Sequence, residues 1–181
     1  MSELRRFIEV DVYGSCGRLR CPPSAGERCL DVLERRYFFY LAFENSLCVD
    51  YVTEKFWRTL RRDVVAVVLG AADYSRLVPP GVHLDVRDFR SPRRLSARLR
   101  QLMTSDVDAY GEMLRRKRRL SCSFDDDVSD HSALFQTRLC RYLDATDGKT
   151  RTTDLQVSWN ADVMCRTPRT FYRGVADMMA Y

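Results

Sequence analysis

Two short polar clusters carry the residues of this chain best suited to chemistry: Glu44-Asn45-Ser46, and Asp50-Tyr51-Val52-Thr53-Glu54-Lys55. Together they offer three carboxylates, an amide, two hydroxyls, a phenol and one lysine. Lysine supplies a point charge for phosphate oxygens, and a carboxylate accepts hydrogen bonds from sugar hydroxyls. The set suits a ligand carrying both. The bland reading of Glu54 and Lys55 is a solvated pair opening a helix. For Glu44, Asn45 and Ser46 it is an Asx-turn capping a strand, and for Tyr51 an ordinary loop tyrosine.

The flanking elements give these residues their setting. The aromatic run Tyr37–Phe43 reads as a strand that ends at Glu44. Thr53 is placed to N-cap an amphipathic helix over Glu54–Arg62, with Glu54 at its first position and Arg58, Arg61 and Arg62 toward its end. Val64–Leu69 reads as a buried strand, followed by Gly70, where backbone can approach a ligand closely. Strand, polar loop, helix, strand puts the polar clusters at strand C-termini and a helix N-terminus, where open α/β sheets bind nucleotides and phosphates.

The remainder extends the pattern. Phe7–Tyr13 alternates, with Ile8, Val10 and Val12 on one face, and predicts a strand ending at the turn former Gly14. Residues 14–28 read as loop and Cys29–Arg36 as a short helix. Pro79-Pro80-Gly81 marks a turn before a strand over Val82–Val86. Ser91-Pro92 starts a helix with Leu95, Leu99 and Leu102 on one stripe, and a second helix runs from about Asp106 to Leu120. The result is an α/β class with a Rossmann-type half-domain over residues 1–120. Residues 121–181 form a separate C-terminal stretch: a helix candidate over Leu134–Leu143 and a tail without periodicity.

Composition bounds the rest. A chain of 181 residues with 45% hydrophobic residues supports one domain with a real core. A net charge of +5, from 30 basic and 25 acidic residues, suits an anionic ligand and is too modest to point to nucleic acid. The longest apolar run, Val64–Ala72, falls far short of the ~20 residues of a spanning helix, and the N-terminal stretch lacks the apolar core of a signal peptide. The run Arg115-Arg116-Lys117-Arg118-Arg119 reads as a solvated helix end rather than a nucleic-acid patch, and Asp125–Asp127 as a surface loop rather than a metal motif. Seven cysteines are many for a cytosolic domain. Cys16, Cys21 and Cys29 cluster and Cys48 lies in the candidate loop. Disulfides of a secretory compartment, a zinc site and free thiols are the open readings. With only His83 and His131 present, a histidine-based triad or metal site is all but excluded.

Tyr37–Ser46 followed by Asp50–Trp57 and Val67–Gly70 resembles the donor-binding half of the α-1,3-fucosyltransferases, glycosyltransferase family 10. The likeness continues upstream through Val10–Cys29 and downstream through Pro79–Phe89, covering residues 7 to 117 well. Ala66 departs from it, standing where the family usually has proline. Arg115 and Arg116 stand where the family tends to place tryptophans before the lysine matching Lys117. The resemblance implies the C-terminal Rossmann-like half of a GT-B fold. It implies GDP-fucose as donor, held by Glu44, Asn45, Ser46, Tyr51, Glu54 and Lys55, with Lys55 on phosphate and Glu54 on hydroxyls, and requires no cofactor or metal. It implies inverting transfer of L-fucose to GlcNAc of a glycan or glycoprotein acceptor. The location implied is the Golgi lumen, on a type II protein whose membrane anchor is not in this chain. The family's general base lies in an N-terminal half that this chain lacks, so the reading expects a fragment with no catalytic residue of its own, inactive alone. A non-catalytic interaction module built on a nucleotide-sugar fold is the alternative. A hydrolase or transferase using another nucleotide sugar is the third reading. The cysteine-rich upstream segment resembles the invertebrate members.

Overall fold

Val65–Leu69 (β3) is buried along its whole length, and everything else is arranged around it. An uninterrupted apolar strand of this kind is stable only when covered on both faces, as in a parallel sheet. The computed structural model describes residues 2–14, 17–21, 28–120 and 164–166. In chain order it contains the helices α1 (Ser2–Arg5) and α2 (Arg28–Arg36), the strands β1 (Phe39–Phe43) and β2 (Leu47–Cys48), α3 (Glu54–Leu60), β3, and β4 (His83–Asp85). The helices α4 (Pro92–Thr104) and α5 (Val107–Arg118) and the strand β5 (Cys165–Arg166) complete it.

Three strands form a parallel sheet in the order β1-β3-β4. Phe39 pairs with Val65 through to Phe43 with Leu69, and Ala66 to Val68 pair with His83 to Asp85. The chain crosses from β1 to β3 through the two-turn helix α3. The two faces of β3 are packed differently. Val67 and Leu69 join Leu4, Leu47, Val86, Leu95 and Leu99, while Val65 packs with Leu102, Tyr110 and Met113. On the other face, Ala66 and Val68 meet Ala42, Phe56, Tyr74 and Val82. Small residues at 42 and 66 make room for the Phe56 ring of α3, which is fully buried. Each such ring or branched aliphatic contributes about 1.5–3 kcal/mol by leaving water.

Helix α4 starts as its sequence dictates. The Ser91 hydroxyl accepts from the Arg94 amide at 3.3 Å, Pro92 occupies the first turn, and Leu95, Leu99 and Leu102 are buried. α2, α3 and α5 likewise lie where periodicity predicts them, and β4 is shorter than Val82–Val86 because Val86 begins a 3₁₀ turn closed by Asp85. Two expectations fail. Phe7–Tyr13 is not a strand: Ile8 and Val10 pack against the core, but the segment's only bridge joins Tyr13 to Leu19. Its alternation is satisfied by burial, with no strand paired to it among the described residues beyond that bridge. Second, Lys117 of the basic run is not solvated but 2% exposed. Its neighbours Arg115, Arg116 and Arg118 stay on the outer face. The expectations for Leu134–Leu143, Asp125–Asp127, the wider tail and Cys16 lie outside the described residues. Cys21 pairs with Cys29, and Cys48 with Cys165, as disulfides.

Candidate functional site

In a parallel sheet all strand C-termini emerge on one edge. Here Phe43, Leu69 and Asp85 end there, so the polar residues that follow them are gathered together. The Glu44 amide donates to the Leu69 carbonyl at 2.9 Å, carrying the ladder one residue past β1. This turns the Glu44 side chain inward, where it is wholly buried. A buried carboxylate must be fully partnered, and this one is. Oε1 accepts from the Thr53 amide at 2.8 Å. Oε2 accepts from the Thr53 hydroxyl at 2.7 Å and from Lys55 Nζ at 3.2 Å. Lys55 also reaches Thr53 Oγ1 at 3.4 Å.

Thr53 therefore does not cap α3 with its side chain as its sequence position predicts. It sits at the N-cap position with its backbone extended, but its hydroxyl is engaged by Glu44. The hydroxyl donates to the Glu44 carboxylate, a charge-assisted bond roughly twice as strong as a neutral one, and its oxygen accepts from Lys55 rather than from a helix amide. The consequence is a charge-stitched corner: hydrogen bonds from the Glu44 carboxylate tie the end of β1 to the start of α3 and to Lys55.

The other predicted residues are distributed around this corner. Asn45 and Ser46 are exposed in the turn after Glu44, Tyr51 is 38% exposed, and Glu54 is exposed at the first position of α3. The Lys55 side chain is 23% exposed, so its ammonium is anchored at one side and reachable from the other. Glu44 alone faces inward. The loop between the clusters is held at its far side too. β2 pairs antiparallel with β5, Cys48 is bonded to Cys165, and the Val49 amide donates to the Met164 carbonyl at 2.8 Å. Asp50 takes the left-handed conformation at φ 57°, which Asp tolerates better than most residues.

Sequence reading did not find the floor of this edge. A Cβ on Gly70 would stand 2.5 Å from the Tyr74 hydroxyl and 3.3 Å from Glu44 Cγ, so glycine is required by close approach. Tyr74 is fully buried, stacked edge-on to Phe56 with centroids 5.1 Å apart, and its hydroxyl has no hydrogen-bond partner among the described residues. Burial, then the charge of Glu44, pushes its pKa up. His83 lies beside it at 5.8 Å, its Nδ1 equally without a partner among the described residues, and burial pulls its pKa down toward the neutral ring. Arg87 forks onto Asp85, with Nε at 2.9 and 2.8 Å from the two oxygens, and its guanidinium lies 5.8 Å from the Tyr74 ring. The glycine after the strand was the only signal for this packing.

A hollow of about 2000 Å³ lies elsewhere, against residues 7–14, α2, α4 and the head of β1. Within it Tyr37 donates to Asp11 at 2.6 Å and its hydroxyl lies 3.1 Å from that of Tyr13. None of the six predicted residues lines it. The chemistry-bearing residues are at the strand ends, so the corner around Glu44 and Lys55 is the candidate site.

The family model described as glycosyltransferase family 10 (fucosyltransferase) C-term matches residues 1–159. The chain is 49% identical over 109 residues to Alpha-(1,3)-fucosyltransferase C of Drosophila melanogaster, covering 60% of this chain and 25% of that protein. To Glycoprotein 3-alpha-L-fucosyltransferase A of the same organism it is 42% identical over 118 residues, 64% of this chain and 23% of the relative. To GDP-fucose protein O-fucosyltransferase 3 of Homo sapiens it is 38% identical over 120 residues, 61% and 25% respectively. The chain thus spans about a quarter of the length of these relatives. With the family match running over residues 1–159, the chain belongs to glycosyltransferase family 10, the fucosyltransferases, in the part that forms the family's C-terminal region.

Proposed function

We propose that this chain is the donor-binding half of an α-1,3-fucosyltransferase, a Rossmann-like C-terminal half of a GT-B enzyme that holds GDP-fucose. The observation that carries the reading is the Glu44–Thr53–Lys55 corner, which presents one anchored, part-exposed ammonium at the C-terminal edge of a parallel sheet. Open α/β sheets bind phosphate-bearing ligands at this edge. Lys55 meets the charge of the donor phosphates, and Glu54, Asn45, Ser46 and Tyr51 face its hydroxyls. Glu44 contributes from beneath by fixing Thr53 and Lys55. No cofactor is needed for this division of labour.

Transfer with inversion requires a base on the acceptor hydroxyl and positive charge on the departing diphosphate. The six residues supply the second requirement only. The base belongs to a part of the enzyme outside this chain, and the isolated chain binds donor without turning it over. The relatives' names vary in the acceptor, from glycoprotein to 4-galactosyl-N-acetylglucosaminide to protein, while fucose is common to them. Acceptor choice is accordingly assigned to the remainder of the enzyme, with GlcNAc of a glycan as the acceptor class. The two disulfides fit an oxidising lumen, and the proposed location is the Golgi, lumenal side, on a type II protein. No described helix is long and apolar enough to cross a membrane.

Calorimetric titration of the purified chain with GDP, and with UDP as control, tests the reading. Saturable binding with GDP preferred supports it. A folded chain that binds neither nucleotide would sink it in favour of a non-catalytic interaction module, and preference for UDP would point to a different nucleotide sugar.

A further inference from the structure

Lys117 is the one member of the basic run turned inward. Its ammonium donates to three main-chain carbonyls: Thr59 at 2.7 Å, and Arg62 and Val64 at closer range. Thr59 lies in the last turn of α3, where carbonyls lack the regular helical partner, and it also accepts the Arg62 amide at 3.1 Å; Arg62 and Val64 follow in the turn that leads into β3. A protonated lysine has three N–H donors and no acceptor, so the match is complete. With 2% of its surface exposed, Lys117 makes a cationic C-terminal clamp delivered by another helix. Burial pulls its pKa down to about 8, while the nearby carboxylates of Asp63 and Glu34 oppose that shift and Arg118 adds to it.

The same turn is gripped from both sides. Arg118 of α5 holds Asp63 with two bonds at 3.1 and 2.7 Å. From α2, Asp31 receives Arg62, and Glu34 accepts the Asp63 amide at 3.1 Å. The Arg118–Asp63 pair is solvent-exposed and contributes little by itself. Lys117 is the buried member, and its loss removes a donor from three carbonyls at once.

We infer that Lys117 is a positioning residue for the candidate site, acting through α3. The helix has only two turns. Glu54 and Lys55 stand at its first turn, and the carbonyls held by Lys117 lie at and just beyond its last. A rigid two-turn helix clamped at its rear cannot slide along β3, so the distance from Lys55 to Glu44 and Gly70 is set from both ends. This inference rests on the donor-site reading above for its consequence in binding, but its structural content is independent of it.

Two measurements on the full chain separate the two. Amide hydrogen exchange across residues 53–64 reads the clamp directly. Lys117→Met, which keeps the length and loses the donors, lowers protection there by at least tenfold while Leu99 and Leu102 in α4 stay protected. GDP titration reads the consequence: the dissociation constant rises at least tenfold in Lys117→Met, and Lys117→Arg recovers part of the loss. A Leu99→Ala control, destabilised in the other core, leaves GDP affinity unchanged. Unaltered exchange at 53–64 in a folded Lys117→Met overturns the clamp whatever GDP does. Failure of the parent chain to bind GDP strikes the donor reading and leaves the exchange result standing. Should Lys117→Met not fold, Lys117→Gln, with two donors for three acceptors, is measured the same way, and unaltered protection and GDP affinity there overturn the proposal.

Discussion

The Glu44 carboxylate receives the Lys55 ammonium at 3.2 Å from inside the protein, while part of the Lys55 side chain remains open to solvent. This pair is not a surface ion pair of negligible worth. One partner is wholly buried, and its other oxygen carries the Thr53 amide. Glu44→Ala should therefore cost about 3 kcal/mol, because it strands a part-buried amide, a hydroxyl and an ammonium together. Denaturant unfolding of the two proteins measures the difference. A loss under about 0.5 kcal/mol would show that the corner is dispensable.

Lys55→Ala tests the other end of the pair. Removing one charge-assisted bond to a phosphate costs roughly 1.5–3 kcal/mol, and about 1.4 kcal/mol is tenfold, so GDP binding should weaken by about one to two decades. The variant must be compared with Glu44→Gln, which keeps the shape of the corner but removes the charge that holds Lys55. A folded Lys55→Ala chain with parental affinity would remove Lys55 from the phosphates.

Gly70 and Tyr74 form a pair that a double-mutant cycle can isolate. In Gly70→Ala the new methyl meets the Tyr74 hydroxyl at 2.5 Å, a contact that must be relieved by shifting a buried ring, at roughly 1–3 kcal/mol. Tyr74→Phe removes a buried hydroxyl that has no partner among the described residues and should be neutral or stabilising. Combined, the two should be less harmful than their sum by about 1 kcal/mol or more. Strict additivity in thermal unfolding would mean the ring and the glycine do not meet.

Much of this arrangement could be read from local pattern. The continuous apolar run at β3, the Ser91-Pro92 start of α4, and the leucine stripe behind it are each decided within a few residues of chain, where periodicity and capping act. The polar clusters were legible too, because an apolar strand that stops at Glu44 has to bring its polar successors to an edge. What escaped were pairings set by distant packing. Nothing local tells Lys117 apart from the arginines around it; which of five basic residues turns inward depends on the phase of α5 against a turn more than 50 residues earlier. Thr53 had the right chemistry and the wrong partner, since the carboxylate that captures it lies across the loop. The alternation of Phe7–Tyr13 was real but met mainly by packing, with a single bridge from Tyr13 to Leu19. The β2–β5 pairing joins Cys48 to a residue 117 positions away, beyond the reach of any window.

That long separation makes a further prediction. Closing a loop of this length removes conformational freedom from the unfolded chain worth on the order of 4–5 kcal/mol in the chain-entropy account. Cys48→Ser should lower stability by up to this amount, while Cys21→Ser, closing a separation of only 8, should matter less. Unfolding curves with the parent's other thiols blocked compare them. Equal losses would show that loop length does not govern either bond.

Tyr110 offers a test by pH. Its hydroxyl donates to the Phe38 carbonyl at 2.9 Å, at the head of β1, and burial pushes its pKa up to about 12 from an ordinary 10.0. A tyrosine whose folded pKa lies above its unfolded one keeps its proton in the native state where the unfolded chain has lost it. Its contribution is whole below about pH 10 and declines as pH rises toward 12. Other tyrosines titrate in the same window, so the quantity to follow is the stability difference between the parent and Tyr110→Phe. That difference should favour the parent by about 1 kcal/mol at pH 8 to 9 and shrink through pH 10 to 11. A difference that stays constant across this range would show that the Tyr110 hydroxyl is not held by the fold.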